Sequence, residues 1–275
     1  MNKHDLLKNA PLGKSSAYVS QYQPDLLFRI PRSAQRNEIG IQDILPFQGN
    51  DIWNAFEISW LNAKGKPMVA AAELIVPCES PYIFESKSLK LYLSSFYNTS
   101  FDSLHAVEKV ITRDLSEVTG AIVKVKLLPL GSISEKIVNC FQGICLDDLD
   151  IACDTYTIQP SYLSTGPHFV TETLYSDLLK TNCLITGQPD LGSVHISYTG
   201  NKIQHEGLLK YIVSFRNHNE FHEPSVERMF TDILSYCAPE KLFVYARYTR
   251  RGGIDINPYR ANYAIQVENT RLIRQ

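Results

Sequence analysis

Leu89-Lys90-Leu91-Tyr92-Leu93-Ser94-Ser95-Phe96-Tyr97-Asn98 in the first half of the chain is answered by Leu208-Leu209-Lys210-Tyr211-Ile212-Val213-Ser214-Phe215-Arg216-Asn217 in the second. A turn-prone segment precedes each block, Lys64-Gly65-Lys66-Pro67 in one case and Thr186-Gly187-Gln188-Pro189 in the other. Apolar residues at helical spacing follow each: Leu104, Val107, Val110 and Ile111, then Val226, Met229, Phe230 and Ile233, with Pro224 suited to a first helical turn. Next come alternating runs, Ala121 to Leu128 and Leu242 to Thr249, which read as half-buried strands. Upstream, Phe56, Ile58 and Trp60 alternate with polar or small neighbours, as does Val194-His195-Ile196-Ser197-Tyr198. Asn62-Ala63-Lys64-Gly65 and Thr199-Gly200-Asn201 are the turn candidates. The expectation is an α+β chain of two tandem modules, antiparallel sheet with helices packed on one face, divided as 1–145 and 146–275. The acidic stretch Leu146-Asp147-Asp148-Leu149-Asp150 would be the connector.

A chain of 275 residues with 44% hydrophobic content can bury a substantial core. With 27 Lys+Arg against 29 Asp+Glu the net charge is -2, so no global field favours nucleic acid or an anionic membrane, and neither is expected as a direct partner. Met1-Asn2-Lys3-His4-Asp5 leads into no apolar segment and no run is long enough to span a bilayer, so a cytoplasmic protein is expected. The cysteines at 78, 140, 145, 153, 183 and 237 form no C-x-x-C pair and read as free thiols; Cys140, Cys145 and Cys153 make a poor zinc set, and no metal is expected. There is no Gly-x-Gly-x-x-Gly after a strand and no Gly-Lys-Ser/Thr phosphate loop.

The two halves differ in chemistry. Cys183 has no counterpart near residues 64–67, His222-Glu223 is replaced by Ser103-Leu104, and Glu85-Ser86-Lys87-Ser88 occurs in the first half alone. A site assembled from both halves would produce such an asymmetry. Four segments then carry a family resemblance: Glu85 to Tyr92, Asn182-Cys183-Leu184-Ile185-Thr186-Gly187-Gln188-Pro189-Asp190, Ser214 to Glu223, and Arg250-Arg251-Gly252-Gly253-Ile254-Asp255-Ile256-Asn257-Pro258. Together they resemble the 7-cyano-7-deazaguanine reductases, in the long form with two tunnelling-fold modules.

That resemblance implies a homodimer and an NADPH-dependent reduction of the nitrile of 7-cyano-7-deazaguanine to the aminomethyl product, in queuosine biosynthesis. A nitrile is a weak electrophile. A thiol, already a few per cent thiolate near neutral pH, converts it to a C=N group and can leave afterwards. The resemblance gives Cys183 that role, through a covalent thioimide, and Asp190 the proton relay. It makes Glu85 and Glu223 acceptors for the guanine-like edge, whose adjacent N–H donors suit a carboxylate. Phe84 and Ser86 would contact the substrate as well, and His222 would both contact it and donate a proton to the imine or amine nitrogen. Ser86, Lys87, Arg251 and Gly252 would hold the cofactor, lysine supplying charge and glycine permitting close backbone approach. The bland readings are a buried thiol for Cys183, a turn for Asp190, a helix-dipole role for Glu223, a core aromatic for Phe84 and solvated basic stretches elsewhere. The rivals are a pterin-type cyclohydrolase on the same fold, which needs metal-activated water, and a non-catalytic purine-binding protein.

Overall fold

The structure, a computed structural model, describes residues 18–42, 44–132 and 137–275; the N-terminal stretch read for a leader lies outside the described residues. They divide into two compact units. Unit 1 holds the described residues of Met1–Glu38, Asn50–Glu135 and Arg250–Ile256, and unit 2 those of Ile39–Gly49, Lys136–Thr249 and Asn257–Gln275. Neither unit is one continuous stretch of chain. A single cut at 145/146 therefore does not describe the organisation, because two strands run on past the limits of a unit.

Unit 1 contains β1 (Arg29–Pro31), the short helix α1 (Ser33–Arg36), β2 (Gln48–Leu61, from Asn50 on), β3 (Pro67–Pro77), β4 (Tyr82–Phe84), α2 (Ser86–Ser94), α3 (Leu104–Thr119) and β5 (Lys124–Leu128). Strands β5, β3 and β2 are neighbours in that order, and both pairings are antiparallel. The β2–β3 hairpin closes where the sequence places it. Asn62 Oδ1 accepts from the Lys64 and Lys66 amides, and Gly65 takes the left-handed φ of 75° that the turn requires. A register shift between Ala55 and Ile58 breaks the simple alternation of β2. Helix α3 starts on Ser103, whose side chain accepts from the Ala106 amide, and ends on left-handed Gly120. It buries Val107, Ile111 and Leu115 against Trp53, Trp60, Leu74, Leu89 and Phe96.

Unit 2 contains β6 (Ile137–Val138), β7 (Ile144–Cys145), β8 (Thr165–Asn182), β9 (Pro189–Ile203), α4 (His205–Ser214), α5 (His222–Cys237), β10 (Lys241–Tyr248), β11 (Ile254–Ala261, from Asn257 on) and β12 (Arg271–Leu272). Its strands run in the order β11, β10, β9, β8 and β7, antiparallel except for β7 beside β8. With the short β4 set aside, the order strand, strand, helix, helix, strand thus occurs twice, as β2, β3, α2, α3, β5 and as β8, β9, α4, α5, β10. Val226, Met229, Phe230 and Ile233 of α5 are buried, as their spacing predicts.

Two expectations need correction. Thr199-Gly200-Asn201 is no turn; it lies inside β9, paired with Val170 and its neighbours. Gly200 is there for close approach, since a Cβ would stand 2.9 Å from Pro239 Cα. Strand β10 is not half-buried. Past Lys241 every residue is buried, because its second face carries Phe243 and Tyr245 packed with Tyr259, Phe141 and His195.

His195 lies in that aromatic layer, 5.2 Å from the Phe141 ring and 5.6 Å from Phe243, and burial pushes its pKa down from 6.5 to about 4. The unfolded chain therefore binds more protons than the folded one between those values. The contribution of this histidine to stability is complete above about pH 6.5 and is lost as the pH falls through that window. Urea unfolding of the wild type is expected to lose about 2 kcal/mol more between pH 7 and pH 4.5 than His195→Gln does. Equal losses in the two proteins would show that His195 titrates normally.

Candidate active site

In unit 2 the nucleophile candidate sits where a hairpin ends. The last rungs of the β8–β9 ladder pair Thr181 with Asp190 and Asn182 with Pro189. Beyond them the Cys183 amide donates to the Gln188 carbonyl at 2.8 Å, and the Gly187 amide donates to the Cys183 carbonyl at 3.0 Å. Gly187 holds φ at 65°, so the tight return belongs to glycine. Side chains alternate along strands, so Thr181 and Cys183 share a face, and Asp190, opposite Thr181, lies on that same face. Cys183 and Asp190 are thereby diagonal neighbours, on the order of 7–8 Å apart between backbone positions. Cys183 is 7% exposed and Asp190 5%. Both side chains are thus buried on the face that the register, continued one residue past Asn182, gives them in common.

Helix α5 brings the second pair. His222 and Glu223 are its first two residues, where the unsatisfied amides of a helix start favour a carboxylate. His222 Nε2 stands 3.5 Å from Asp190 Oδ2, an ion pair whenever the imidazole carries its proton. The segment entering α5 is tied to the Cys183 hairpin by backbone bonds. The Asn182 amide donates to the His218 carbonyl at 2.8 Å, the Glu220 amide donates to the Asn182 carbonyl at 3.0 Å, and Asn182 Nδ2 donates to Asn219 Oδ1 at 3.0 Å. Lys180 Nζ donates to Asn182 Oδ1 at 2.6 Å, and burial beside Arg216 pushes its pKa down. Beneath His222 lies Tyr248, its ring 3.8 Å away and 9° from parallel. Asn182, Asn219 and Tyr248 are functional candidates that sequence reasoning missed; Asn182 stood next to the cysteine, whereas Tyr248 signalled only a strand.

In unit 1, Glu85 caps α2. Its Oε1 accepts from the Lys87 amide at 2.6 Å and the Ser86 hydroxyl at 3.3 Å, and Oε2 accepts from the Ser88 amide at 2.8 Å. Burial pushes the Glu85 pKa up while these bonds oppose the rise. Phe84 faces inward at 2% exposure, its ring centroid 4.8 Å from Trp53, so its side chain is core. Arg251 and Ile254 exchange two backbone bonds of 2.9 and 3.1 Å across Gly252 and Gly253, whose φ values of 57° and 77° fit a two-residue turn with both central residues left-handed. A Cβ on Gly252 would stand 3.1 Å from Lys90 Nζ, so the glycine admits that ammonium, which also pairs with Glu57 at 3.5 Å. Glu57, Lys90, Tyr97, Gly252 and Gly253 line a narrow cleft with a volume of only about 10 Å³. Cys183, Asp190, His222 and Glu223 therefore belong to unit 2, and Phe84 to Lys87, Arg251 and Gly252 to unit 1. Among the described residues no group of three or more His, Cys, Asp or Glu is placed to hold a metal ion.

Residues 18–127 match the family described as nitrile reductase, 7-cyano-7-deazaguanine-reductase N-term, and residues 189–266 match that described as QueF-like protein. A protein of Azoarcus sp. (strain BH72) is 57% identical over 254 residues, covering 92% of this chain and 90% of the relative. One of Legionella pneumophila (strain Lens) is 53% identical over 275 residues, covering 98% and 96%. One of Burkholderia multivorans (strain ATCC 17616 / 249) is 55% identical over 271 residues, covering 98% and 99%. All three are named NADPH-dependent 7-cyano-7-deazaguanine reductase.

The capping geometry sets an expectation independent of any ligand. Glu85→Ala leaves the Lys87 and Ser88 amides without their acceptor and is expected to cost about 1 kcal/mol, a fall in Tm of roughly 2–4 °C. Glu85→Gln, which keeps one carbonyl oxygen, should lose less. A thermal scan in which Glu85→Ala melts with the wild type would mean that the carboxylate contributes nothing to α2.

Proposed function

This chain belongs to the NADPH-dependent 7-cyano-7-deazaguanine reductases, and we propose that it reduces the nitrile of that base through a covalent thioimide on Cys183. The observation that carries this reading is the common face of Cys183 and Asp190, closed from α5 by His222 at 3.5 Å. Asp190 takes the thiol proton as sulfur adds to the nitrile carbon, and returns it to the nitrile nitrogen as the C≡N bond becomes C=N. NADPH, when bound, supplies a hydride for each of the two reductions. Between them the C–S bond breaks, the departing sulfur regains its proton from the nitrogen through Asp190, and a neutral imine remains. His222, refilled from solvent, delivers protons to the nitrogen. Two hydrides and two protons convert the nitrile to the aminomethyl group, and the cysteine is regenerated.

Glu223 and Glu85 are assigned to the donor edge of the base. A carboxylate offers about four lone-pair positions, and three of those of Glu85 are in use. One remains on Oε2, and a second opens on Oε1 if the Ser86 hydroxyl, the longest of the three bonds, turns away. Ser86 thus acts as a placeholder for a substrate N–H. Phe84, in the core, backs Glu85 and does not stack on the base. Because the Lys87 and Ser88 amides are committed to Glu85, the cofactor's phosphates would be held by the charges of Lys87 and Arg251, with Gly252 leaving room for backbone approach.

The repeated order of strands and helices supports reading each unit as a tunnelling-fold module, and a homodimer in the cytoplasm is the assembly proposed. No helix of the described residues is long and apolar enough to cross a membrane.

Intact-protein mass spectrometry after mixing with the nitrile alone tests the central step. A gain of one substrate mass is expected in the wild type and none in Cys183→Ala. Asp190→Asn should form the adduct roughly 10²–10⁴ times more slowly. Wild-type protein that stays unmodified while turning over with NADPH would sink the covalent route.

A further inference from the structure

We propose that Tyr248 is the positioning residue for His222, holding the imidazole in the plane from which Nε2 meets Asp190 and the substrate nitrogen; this rests on the proton-donating role given to His222 above. A catalytic histidine is commonly oriented by a hydrogen bond at its second ring nitrogen. His222 Nδ1 is buried and makes none with the described residues. The contact that remains on the ring is the flat face of Tyr248, at 3.8 Å and 9°.

Tyr248 is built to stay still. It is 0% exposed, its carbonyl accepts from Gln275 Nε2 at 3.0 Å, and the next amide, of Thr249, donates to the Leu191 carbonyl at 2.8 Å. Its partner across the ladder is Gly192, where a Cβ would stand 3.1 Å from the tyrosine Cδ1, so the absent side chain makes the ring's berth. Gly192 is two residues from Asp190, so β9 sets both the ring and the carboxylate on one face. The Tyr248 hydroxyl lies near those of Thr181 and Ser225 but makes no hydrogen bond of good geometry among the described residues, and Ser225 Oγ donates to the Phe221 carbonyl at 2.8 Å. The working part of this residue is therefore its ring. Stacking fixes the imidazole plane and the Asp190 carboxylate fixes which edge points inward.

The test compares turnover and nitrile adduct formation in Tyr248→Phe, Tyr248→Leu, Gly192→Ala, His222→Ala and the pairs of the last with Tyr248→Leu and Gly192→Ala. Tyr248→Phe keeps the ring and is expected within about threefold of wild-type kcat. Tyr248→Leu should lower kcat roughly 10–100-fold, with KM for the nitrile and NADPH little changed and the Cys183 adduct still formed. In the His222→Ala background the same change should cost no more than about twofold, because the residue acts only through that histidine. Gly192→Ala, which reaches the ring from β9, should behave like Tyr248→Leu and decides the matter if the leucine protein forms no adduct. Losses that multiply in the double variants, or full kcat in Tyr248→Leu or Gly192→Ala, overturn the inference alone. Wild-type kcat in His222→Ala overturns the reading of His222 and the inference with it.

Discussion

The hydrogen bonds that Asn182 exchanges with residues 218 and 220 are the constraint on which the proposed catalytic group of unit 2 depends. Cys183 is the next residue along from Asn182, and His222 the second beyond Glu220. Two backbone bonds and one amide–amide bond thus fix the thiol's strand against the start of α5. Each such bond contributes only about 1 kcal/mol net, so the joint does not hold the unit together. The apolar faces of α4 and α5 do that, and the ordering entropy of the intervening chain is met by their burial. The joint sets direction rather than stability. Mutual placement of reacting groups is worth more to catalysis than to folding, because a small displacement costs rate steeply.

A similar division of labour governs Glu85. Burial disfavours its charge, and three short-range donors favour it. Two of those donors are amides that α2 must satisfy in any case, so the helix and the carboxylate stabilise each other. A carboxylate oriented in this way needs no rearrangement of the backbone to accept from a ligand. Only the Ser86 hydroxyl has to move, and hydroxyl rotation is a local event.

Much of this architecture was legible in the chain. The 3.6-residue spacing of Leu104 to Ile111 and of Val226 to Ile233 marks α3 and α5 because each helix buries one stripe. Asn62 to Gly65 declares a turn through an asparagine that bonds its own backbone and a glycine with positive φ. The same vocabulary misled at Gly200, where glycine answers a tertiary contact with Pro239. Alternation failed for β10 because a strand covered on both sides has no polar face to alternate with. Cys183 and Asp190 were readable together, since a tight turn between them predicts a shared face. The capping bonds of Glu85 were within reach of sequence logic, an acidic residue three before Ser88. Asn219 and Tyr248 were not, because a bridge and a stack between separate elements leave no local pattern.

Stacking differs from hydrogen bonding in what it demands of a histidine. An imidazole oriented through Nδ1–H is tied to one tautomer, and any change at that nitrogen breaks the bond that orients it. A ring held by a tyrosine face is constrained in plane and position, while neither nitrogen is committed by the contact. In the role proposed for His222, proton delivery from Nε2 and its refilling leave the orienting interaction intact. The scheme proposed above, in which His222 delivers one proton to the nitrogen at each reduction, asks the donor to be emptied and reloaded without losing its place. The Tyr248 face meets that requirement, whereas a second hydrogen bond would tie the ring's geometry to its protonation state.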